Sequence, residues 1–361
     1  MEKFGTTISI LILVVSISSC TVLNQPPPTL STPEVTPTVD TTPADGWYEV
    51  YFSDPASPTA GTYRGGPDEA LANAIRESRL SVDAAIYHLN LWSIRDALIA
   101  AHNAGVAVRV VLESDNMDEV EVQELRDAGI EVLGDRRESL MHHKFVIIDK
   151  SEVWTGSMNF TINGAYYNDN NLVHIRSNRL ASNYTTEFEE MFISDMFGDD
   201  VVMNTPFPVL SIDGTQIETF FSPDDGTAAR IVDLIQGSQE CVYFMIYSFT
   251  SDDIADAILE RAEAGIRIAG VFEDNQYRAN IGTEYDRLYD AGIEVRLDGN
   301  NRNMHHKVMI IDGRIVITGS NNFSRSAEVQ NDENTLMIHN SDIAALYMSE
   351  FERVFAQAPG D

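Results

Sequence analysis

The sequence predicts an α/β protein made of two fused copies of one domain, and three observations predict it. The chain repeats itself: VDAAIYHLNLWSIRDALIAAHNAGVAVRVVLE (82–113) runs parallel to VYFMIYSFTSDDIADAILERAEAGIRIAGVFE (242–273), and DAGIEV occurs at 127–132 and again at 290–295. Apolar, largely β-branched runs (106–112, 145–148, 315–318) alternate with Ala-, Leu- and Glu-rich stretches of helical period (69–77, 94–103, 254–264), the pattern of an α/β layer architecture. Finally, 361 residues with 43% apolar and 22% charged side chains are enough for large cores and are neither disordered nor fibrous.

Along the chain, MEKFGTTISILILVVSISSC comes first. Its apolar run, 8–17, is too short for a comfortable membrane span and has the length of a signal-peptide core. Ile17, Ser18, Ser19 and Cys20 resemble the lipobox of bacterial lipoproteins, which implies cleavage before Cys20 and lipidation of that residue. Lys3 is the single basic side chain ahead of the run, and Glu2 opposes it. Residues 21–46 are dominated by Pro and Thr without apolar period, so they cannot bury enough surface to offset their ordering entropy. They read as a linker that spans roughly 80 Å when extended. The expected organisation is a signal peptide at 1–20, a linker at 21–46, and domains at 47–205 and 206–361. Pro206 and Pro208 mark the junction. The expected location is extracytoplasmic, on a membrane of the cell envelope, as a monomer. Each domain reads as strand, helix, strand, helix, strand, then a strand pair, then a last strand and helix.

Lys and Arg number 24 against 56 Asp and Glu, a formal net charge of -32. Such a field repels polyanions, so an anionic substrate needs a local cluster of positive charge. Two cysteines exclude a disulfide framework and a zinc site built from several thiolates. Cys241, in CVYFMIYSF, reads as an inert core thiol.

The chemistry is concentrated in two matching runs, MHHKFVIIDKSEVWTGSMNF and MHHKVMIIDGRIVITGSNNF. His142, Lys144, Asp149, Gly156, Ser157 and Asn159 match His305, Lys307, Asp312, Gly319, Ser320 and Asn322 at one constant offset. In a strand, His142 and Lys144 share a face, as do His305 and Lys307. An imidazole beside a fixed cation suits attack on a phosphate whose oxygen the ammonium holds. Ser157, Ser320, Asn159 and Asn322 can donate hydrogen bonds to phosphoryl oxygens, and the Gly-Ser turn lets backbone approach the phosphate. The chain has four lysines, and two of them are Lys144 and Lys307, although arginine supplies positive charge elsewhere. His142 and His143 point oppositely in a strand and cannot easily chelate one ion, so no metal and no cofactor is expected. His143 and His306 read as supporting residues.

These two motif copies resemble those of the phospholipase D superfamily, over nearly all of residues 47–358. The resemblance implies two homologous α/β domains, each a mixed sheet flanked by helices, related by a pseudo-twofold axis with the site at their interface. It implies a catalytic set of His142, Lys144, Asp149, His305, Lys307 and Asp312, in which the two aspartates hydrogen-bond structurally rather than attack. It also places an acidic residue after each motif to accept a hydrogen bond from the motif histidine. NDEN (331–334) supplies Glu333; NDNN (168–171) supplies Asn170 at the matching place. The expectation from this asymmetry pairs each histidine with the residue of its own half. His305, backed by Glu333, would start protonated and act as general acid; His142, backed by Asn170, would start neutral and attack.

The expected reaction is metal-independent hydrolysis of a phospholipid of phosphatidylcholine type, through a phosphohistidine, to phosphatidic acid and free head group. The alternatives are cleavage of DNA or RNA, with Arg136, Arg137 and Arg302 gripping the backbone, phosphatidyl transfer of cardiolipin-synthase type, and a non-catalytic envelope lipoprotein. Every motif residue is present, which speaks against the last.

Overall fold

The computed structural model describes residues 38–40 and 46–359; Cys20, the signal-peptide segment and most of the linker lie outside the described residues. The strands are β1 (Thr38–Asp40), β2 (Tyr48–Phe52), β3 (Ser81–Ile86), β4 (Ala107–Leu112), β5 (Glu131–Gly134), β6 (Lys144–Ile148), β7 (Glu152–Gly156) and β8 (Asn171–Arg176). They continue with β9 (Val209–Ile212), β10 (Thr215–Ser222), β11 (Cys241–Ile246), β12 (Arg267–Phe272), β13 (Glu294–Leu297), β14 (Lys307–Ile311), β15 (Ile315–Gly319) and β16 (Glu333–His339). They form two mixed sheets, in the orders β2-β8-β7-β6-β3-β4-β5 and β1-β9-β10-β16-β15-β14-β11-β12-β13. Within each, the outer three strands (β3-β4-β5, β11-β12-β13) are parallel, and the motif strands join them antiparallel.

The second sheet therefore repeats the first strand for strand and adds β9 and β1 at one edge. β1 lies inside the expected linker, where Thr38-Val39-Asp40 pairs in parallel with β9. Each half also holds a helix and a short strand that the sequence reading did not separate: Val120–Asp127 with β5, and Tyr285–Asp290 with β13. Helices of eight and six residues followed by four-residue strands are too short to show a clear period.

The layers run helix, sheet, helix, sheet, helix. The outer faces bury Leu71, Ile75, Ile94 and Leu98 against one sheet and Ile231, Ile235, Ile254 and Ile258 against the other. The central layer is shared. The helices Asn178–Phe192 and Ser341–Gln357 bring Tyr184, Phe188, Tyr347 and Phe351 into one core with Phe145, Ile147, Val308 and Ile310 from both motif strands. Cys241 opens β11 and is buried, which raises its thiol pKa.

Backbone bonds stitch the halves together ahead of β6 and β14. His142 N–H donates to Asp332 O at 3.0 Å, and His305 N–H donates to Asp169 O at 2.9 Å. Each motif histidine is thus fixed at the strand entry by the loop before the other half's last strand.

Candidate active site at the junction of the halves

Lys144 opens β6 and Lys307 opens β14, each two residues after its histidine. All four side chains are buried: His142 is 6% exposed, His305 5%, and each lysine 1%. Tyr87 lies edge-on to His142 with ring centroids 4.7 Å apart and carries the Lys144 ammonium 4.8 Å from its own ring centroid. Tyr247 repeats this with His305 at 4.5 Å and Lys307 at 4.7 Å. Each aromatic face thus replaces part of the lost hydration of a buried cation.

The histidine partners are crossed. Nδ1 of His142 meets both carboxylate oxygens of Glu333 at 2.8 Å. Nδ1 of His305 meets Asn170 Oδ1 at 2.9 Å and Ser157 O at 3.1 Å. The expected pairing within each half is therefore wrong: Glu333 serves His142 and Asn170 serves His305. The cause is the stitching just described, which carries the loop before β16 onto the entry of β6. Asp169 takes no part in this pairing; it accepts from Arg353 Nη2 at 2.7 Å and from Asn300 Nδ2 at 2.7 Å.

The motif serines also differ from expectation. Ser320 Oγ donates to Glu333 Oε2 at 2.6 Å, and Ser157 Oγ donates to Asn170 Oδ1 at 3.0 Å. A hydroxyl has one proton, so neither has one left for a phosphoryl oxygen. They lock the groups that hold the histidines. Asn159 and Asn322 remain as candidate substrate ligands. Neither carboxamide has a hydrogen-bond partner among the described residues, although the oxygen of each is buried. Gly156 and Gly319 adopt φ of 153° and 150°, and a Cβ at either would run into the carbonyl of Asn171 or Asn334. The glycine therefore admits the neighbouring strand.

Asp149 and Asp312 end β6 and β14 at the opposite end from the histidines, roughly 20 Å away at the rise of a strand. Asp149 accepts from the backbone N–H of Arg79, Leu80 and Ser81 at 2.7–3.1 Å. Asp312 does the same for Gln239, Glu240 and Cys241, which holds its carboxyl below the usual range against the opposing pull of burial. Both tie the strand turn to the preceding helix–strand loop and touch no reacting group.

His143 and His306 form a second, symmetric tier. Nε2 of His143 bonds Glu187 at 2.9 Å, and Nε2 of His306 bonds Glu350 at 3.0 Å. Their Nδ1 atoms meet Asn334 and Asn171 from the other half at 3.3 and 3.2 Å. Thr155 and Tyr184 donate to Asn334 Oδ1, while Thr318 and Tyr347 donate to Asn171 Oδ1. The glutamates were missed, yet a signal existed: Glu-Phe-Glu recurs at 187–189 and 350–352, at the motif offset. Glu113 was missed too. It caps the repeated segment, accepts from Met141 N–H at 2.8 Å, and burial pushes its carboxyl up to about 7.

Burial and the two neighbouring lysines push both His142 and His305 well down, so both rings are neutral before substrate arrives. Burial lowers Lys144 to about 7 and lowers Lys307 well below the usual lysine range, with Lys144 adding to the fall at Lys307. Burial raises Glu333 to about 7 against the pull of Lys144. An entering phosphodiester anion shifts the lysines back toward their ammonium forms, because it pairs with them.

Arg136 and Arg137 are committed to Asp195 and Asp332, and Arg302 lies over the Tyr167 ring at 5.7 Å. The first two do not form the free basic strip a nucleic-acid backbone needs. Among the described residues, no group of three or more metal-ligating side chains occurs, and no helix is long and apolar enough to cross a membrane.

Comparison with known proteins agrees with this fold. The family profile described as "Cardiolipin synthase, PLD-like domain" matches residues 71–192 and again 231–355. A mitochondrial cardiolipin hydrolase of Chlamydomonas reinhardtii is 30% identical over 135 residues, which is 37% of this chain and 60% of that protein. The chain thus spans under two thirds of that relative's length. A phospholipase D of Rickettsia bellii is 27% identical over 167 residues, 44% of this chain and 81% of that protein. The phosphatidylserine synthase of Haemophilus influenzae superposes over 89% of this chain and 87% of its own, with a TM-score of 0.64 at 13% identity, a likeness of fold. With one matched copy in each half, the chain belongs to the family of phospholipase D-like domains of cardiolipin synthase type.

Proposed function

We propose that the protein is a metal-independent phosphodiesterase of phospholipase D type that hydrolyses the head-group ester of a phospholipid at a membrane surface. The observation that carries the reading is the junction itself. Two neutral imidazoles and two buried lysine side chains meet there, with a carboxylate behind one imidazole only.

That asymmetry assigns the roles. His142 Nε2 attacks phosphorus and the bond to the leaving oxygen breaks. Phosphorylation puts positive charge on the ring, and the Glu333 carboxylate at Nδ1 offsets it. His305 takes up a proton at Nε2 as the phosphodiester anion enters; Asn170 orients the ring without neutralising it, so the imidazolium is acidic and gives that proton to the departing oxygen. Lys307 Nζ lies 3.2 Å from His305 Nε2 in the free enzyme. Its move to a phosphoryl oxygen frees that nitrogen to carry the proton. His305 then takes a proton from water, the hydroxyl oxygen attacks phosphorus, and His142 is released. The assignment of nucleophile and acid is the one expected from the sequence, but for the opposite reason, since the carboxylate backs the nucleophile, and His305 starts neutral where it was expected to start protonated.

The lipid substrate is supported by the rim. His88, next to Tyr87, bonds Glu119, and Val120 beside it is 65% exposed. Asn280 bonds Ser248, next to Tyr247, and Ile281 beside it is 99% exposed. Two exposed apolar side chains, each one residue from a group bonded to the neighbour of a site tyrosine, fit an interface more readily than a polyanion. The names of the two curated relatives point the same way. The lipobox at Cys20 would hold the enzyme on the envelope membrane, within linker reach of its substrate.

The test presents vesicles of phosphatidylcholine, vesicles of cardiolipin and single-stranded DNA in parallel, with EDTA present and His142→Ala as blank. Head-group or phosphatidyl release that the variant lacks supports the reading. DNA cleavage without lipid turnover overturns it.

A further inference from the structure

The loops after β4 and β12 each open on a buried glutamate, Glu113 and Glu273, both 1% exposed. Their bonds differ. Glu113 Oε2 accepts from Met141 N–H at 2.8 Å, one residue ahead of His142, and Oε1 accepts from Asp115 N–H at 3.3 Å. Glu273 accepts from Gln276 N–H at 2.5 Å and from Asn275 Nδ2 at 2.9 Å. Among the described residues, no bond joins it to Met304, the counterpart of Met141. The cause is local sequence. The second half carries a short insertion after Glu273, where the chain forms the helix Asp274–Ala279, and Glu273 caps that helix. The first half has only a turn at Ser114–Asn116 in its place, so Glu113 keeps an oxygen for Met141.

The two strand entries differ in step with this. The entry to β6 is held at three points: Met141 N–H by Glu113, His142 N–H by Asp332 O at 3.0 Å, and His143 O by Tyr87 N–H at 2.9 Å. The entry to β14 has only the last two, His305 N–H to Asp169 O at 2.9 Å and Tyr247 N–H to His306 O at 2.8 Å. Lys144 Nζ donates to His142 O at 2.6 Å, with no bond to the ring among the described residues. Lys307 Nζ lies 3.1 Å from His305 O and 3.2 Å from His305 Nε2. The ammonium groups are otherwise matched, 4.8 and 4.7 Å from their tyrosine rings. Where the third hold is present, the ring nitrogen is open; where it is missing, a lysine covers it.

We propose that Glu113 is a positioning residue for His142. By holding Met141 it sets the His142 carbonyl to take the Lys144 contact, which leaves Nε2 open to attack phosphorus. The inference rests on the reading of His142 as nucleophile; Glu113 itself touches no reacting atom. Without the hold, Lys144 leans on Nε2 as Lys307 does on His305. A neutral Nε2 whose lone pair accepts a hydrogen bond cannot attack, and a nucleophile displaced by about an ångström loses on the order of 10²-fold in rate.

The test uses the full chain with four substitutions, each checked for folding by circular dichroism. Glu113→Ala and Glu113→Met both remove the acceptor, the second while filling the space, so either one that folds serves. Glu113→Gln keeps an oxygen for Met141, and Glu273→Ala removes the matching buried cap. On a soluble p-nitrophenyl phosphodiester, loss of the acceptor is expected to slow the first-turnover burst on the order of 10²-fold with little change in KM. Glu113→Gln is expected to restore most of the rate, and Glu273→Ala to keep it. Imidazole nitrogen NMR, assigned through His142→Ala and His305→Ala, reports the contact at Nε2 whether or not the ester turns over. The His142 Nε2 signal is expected to move toward that of His305 Nε2 in the acceptor-free variants and to stay in the other two. An unmoved signal in the acceptor-free variants, or a loss in Glu113→Gln as large as theirs, overturns the proposal. A wild-type enzyme that leaves every diester intact overturns the reaction instead, and the NMR signal then decides the positioning by itself.

Discussion

Glu333, from the second half of the chain, grips Nδ1 of His142, from the first, with both carboxylate oxygens at 2.8 Å. Its pseudo-symmetric counterpart, Asn170, holds His305 with a carboxamide oxygen. One carboxylate between two otherwise matched histidines makes them unequal. Glu333→Gln keeps an acceptor at Nδ1 but removes the charge, so kcat is expected to fall on the order of 10²–10⁴-fold with little change in stability. Steady-state turnover of vesicles, beside a urea melt, checks this; a loss below tenfold would contradict it.

The general-acid role proposed for His305 is separable by leaving group. A p-nitrophenyl phosphodiester releases a stable anion that needs no proton. His305→Ala should lose far more activity on an alkyl head group than in the first turnover of the nitrophenyl ester. His142→Ala should lose both equally. Burst kinetics with the two substrates read the difference.

Asp149 and Asp312 each satisfy three backbone N–H groups far from the histidines. Asp149→Ala and Asp312→Ala are expected to cost about 1–3 kcal/mol each in stability, as buried donors lose their acceptor. Turnover per folded molecule should change little. Denaturant midpoints measured with kcat at low temperature distinguish this from a direct part in the chemistry.

Much of this was legible in the sequence, and the illegible part has a physical cause. The constant offset between His142 and His305 gave two copies of one α/β unit, and period-two alternation put His143 away from Lys144. Both follow from backbone geometry within one strand. The crossed partners do not. Glu333 stands 28 residues after His305 and 191 after His142, and only the bridges Met141–Asp332 and Asp169–Met304 decide which ring it meets. Ser157 and Ser320 failed for a related reason: a Gly-Ser turn does not say which way the hydroxyl turns, and Asn170 and Glu333 come within its reach only after closure.

Burial brings Lys144 and Glu333 each to about 7, from opposite directions. The proposed reaction needs Glu333 as carboxylate, which requires pH above its value, and Lys144 as ammonium, which requires pH below its own. The kcat/KM profile is therefore expected to be a narrow bell near neutrality, reporting the coupled cluster in the free enzyme. Lys144→Arg, with its permanently charged side chain, should push the alkaline limb upward at reduced activity. A flat profile across neutrality would contradict the assignment.

Val120 and Ile281 are largely exposed, each next to a residue (Glu119, Asn280) that bonds the chain neighbour of Tyr87 or Tyr247. Val120→Asp and Ile281→Asp are expected to lower turnover of phosphatidylcholine vesicles several-fold while leaving a soluble nitrophenyl diester unaffected. Vesicle co-sedimentation should weaken in parallel. Equal losses on both substrates would place these residues in the chemistry instead of at the membrane.

The account rests on His142 as the residue that becomes phosphorylated. The direct measurement is to quench His305→Ala during turnover of the nitrophenyl ester, since this variant lacks the base that resolves the intermediate, and to locate the phosphoryl group by peptide mass spectrometry under alkaline conditions. The account predicts the adduct on His142, absent in the His142→Ala/His305→Ala double variant. An adduct on His305 in the His142→Ala enzyme, with none on His142 in the other, would reverse the roles and refute the reading built on Glu333.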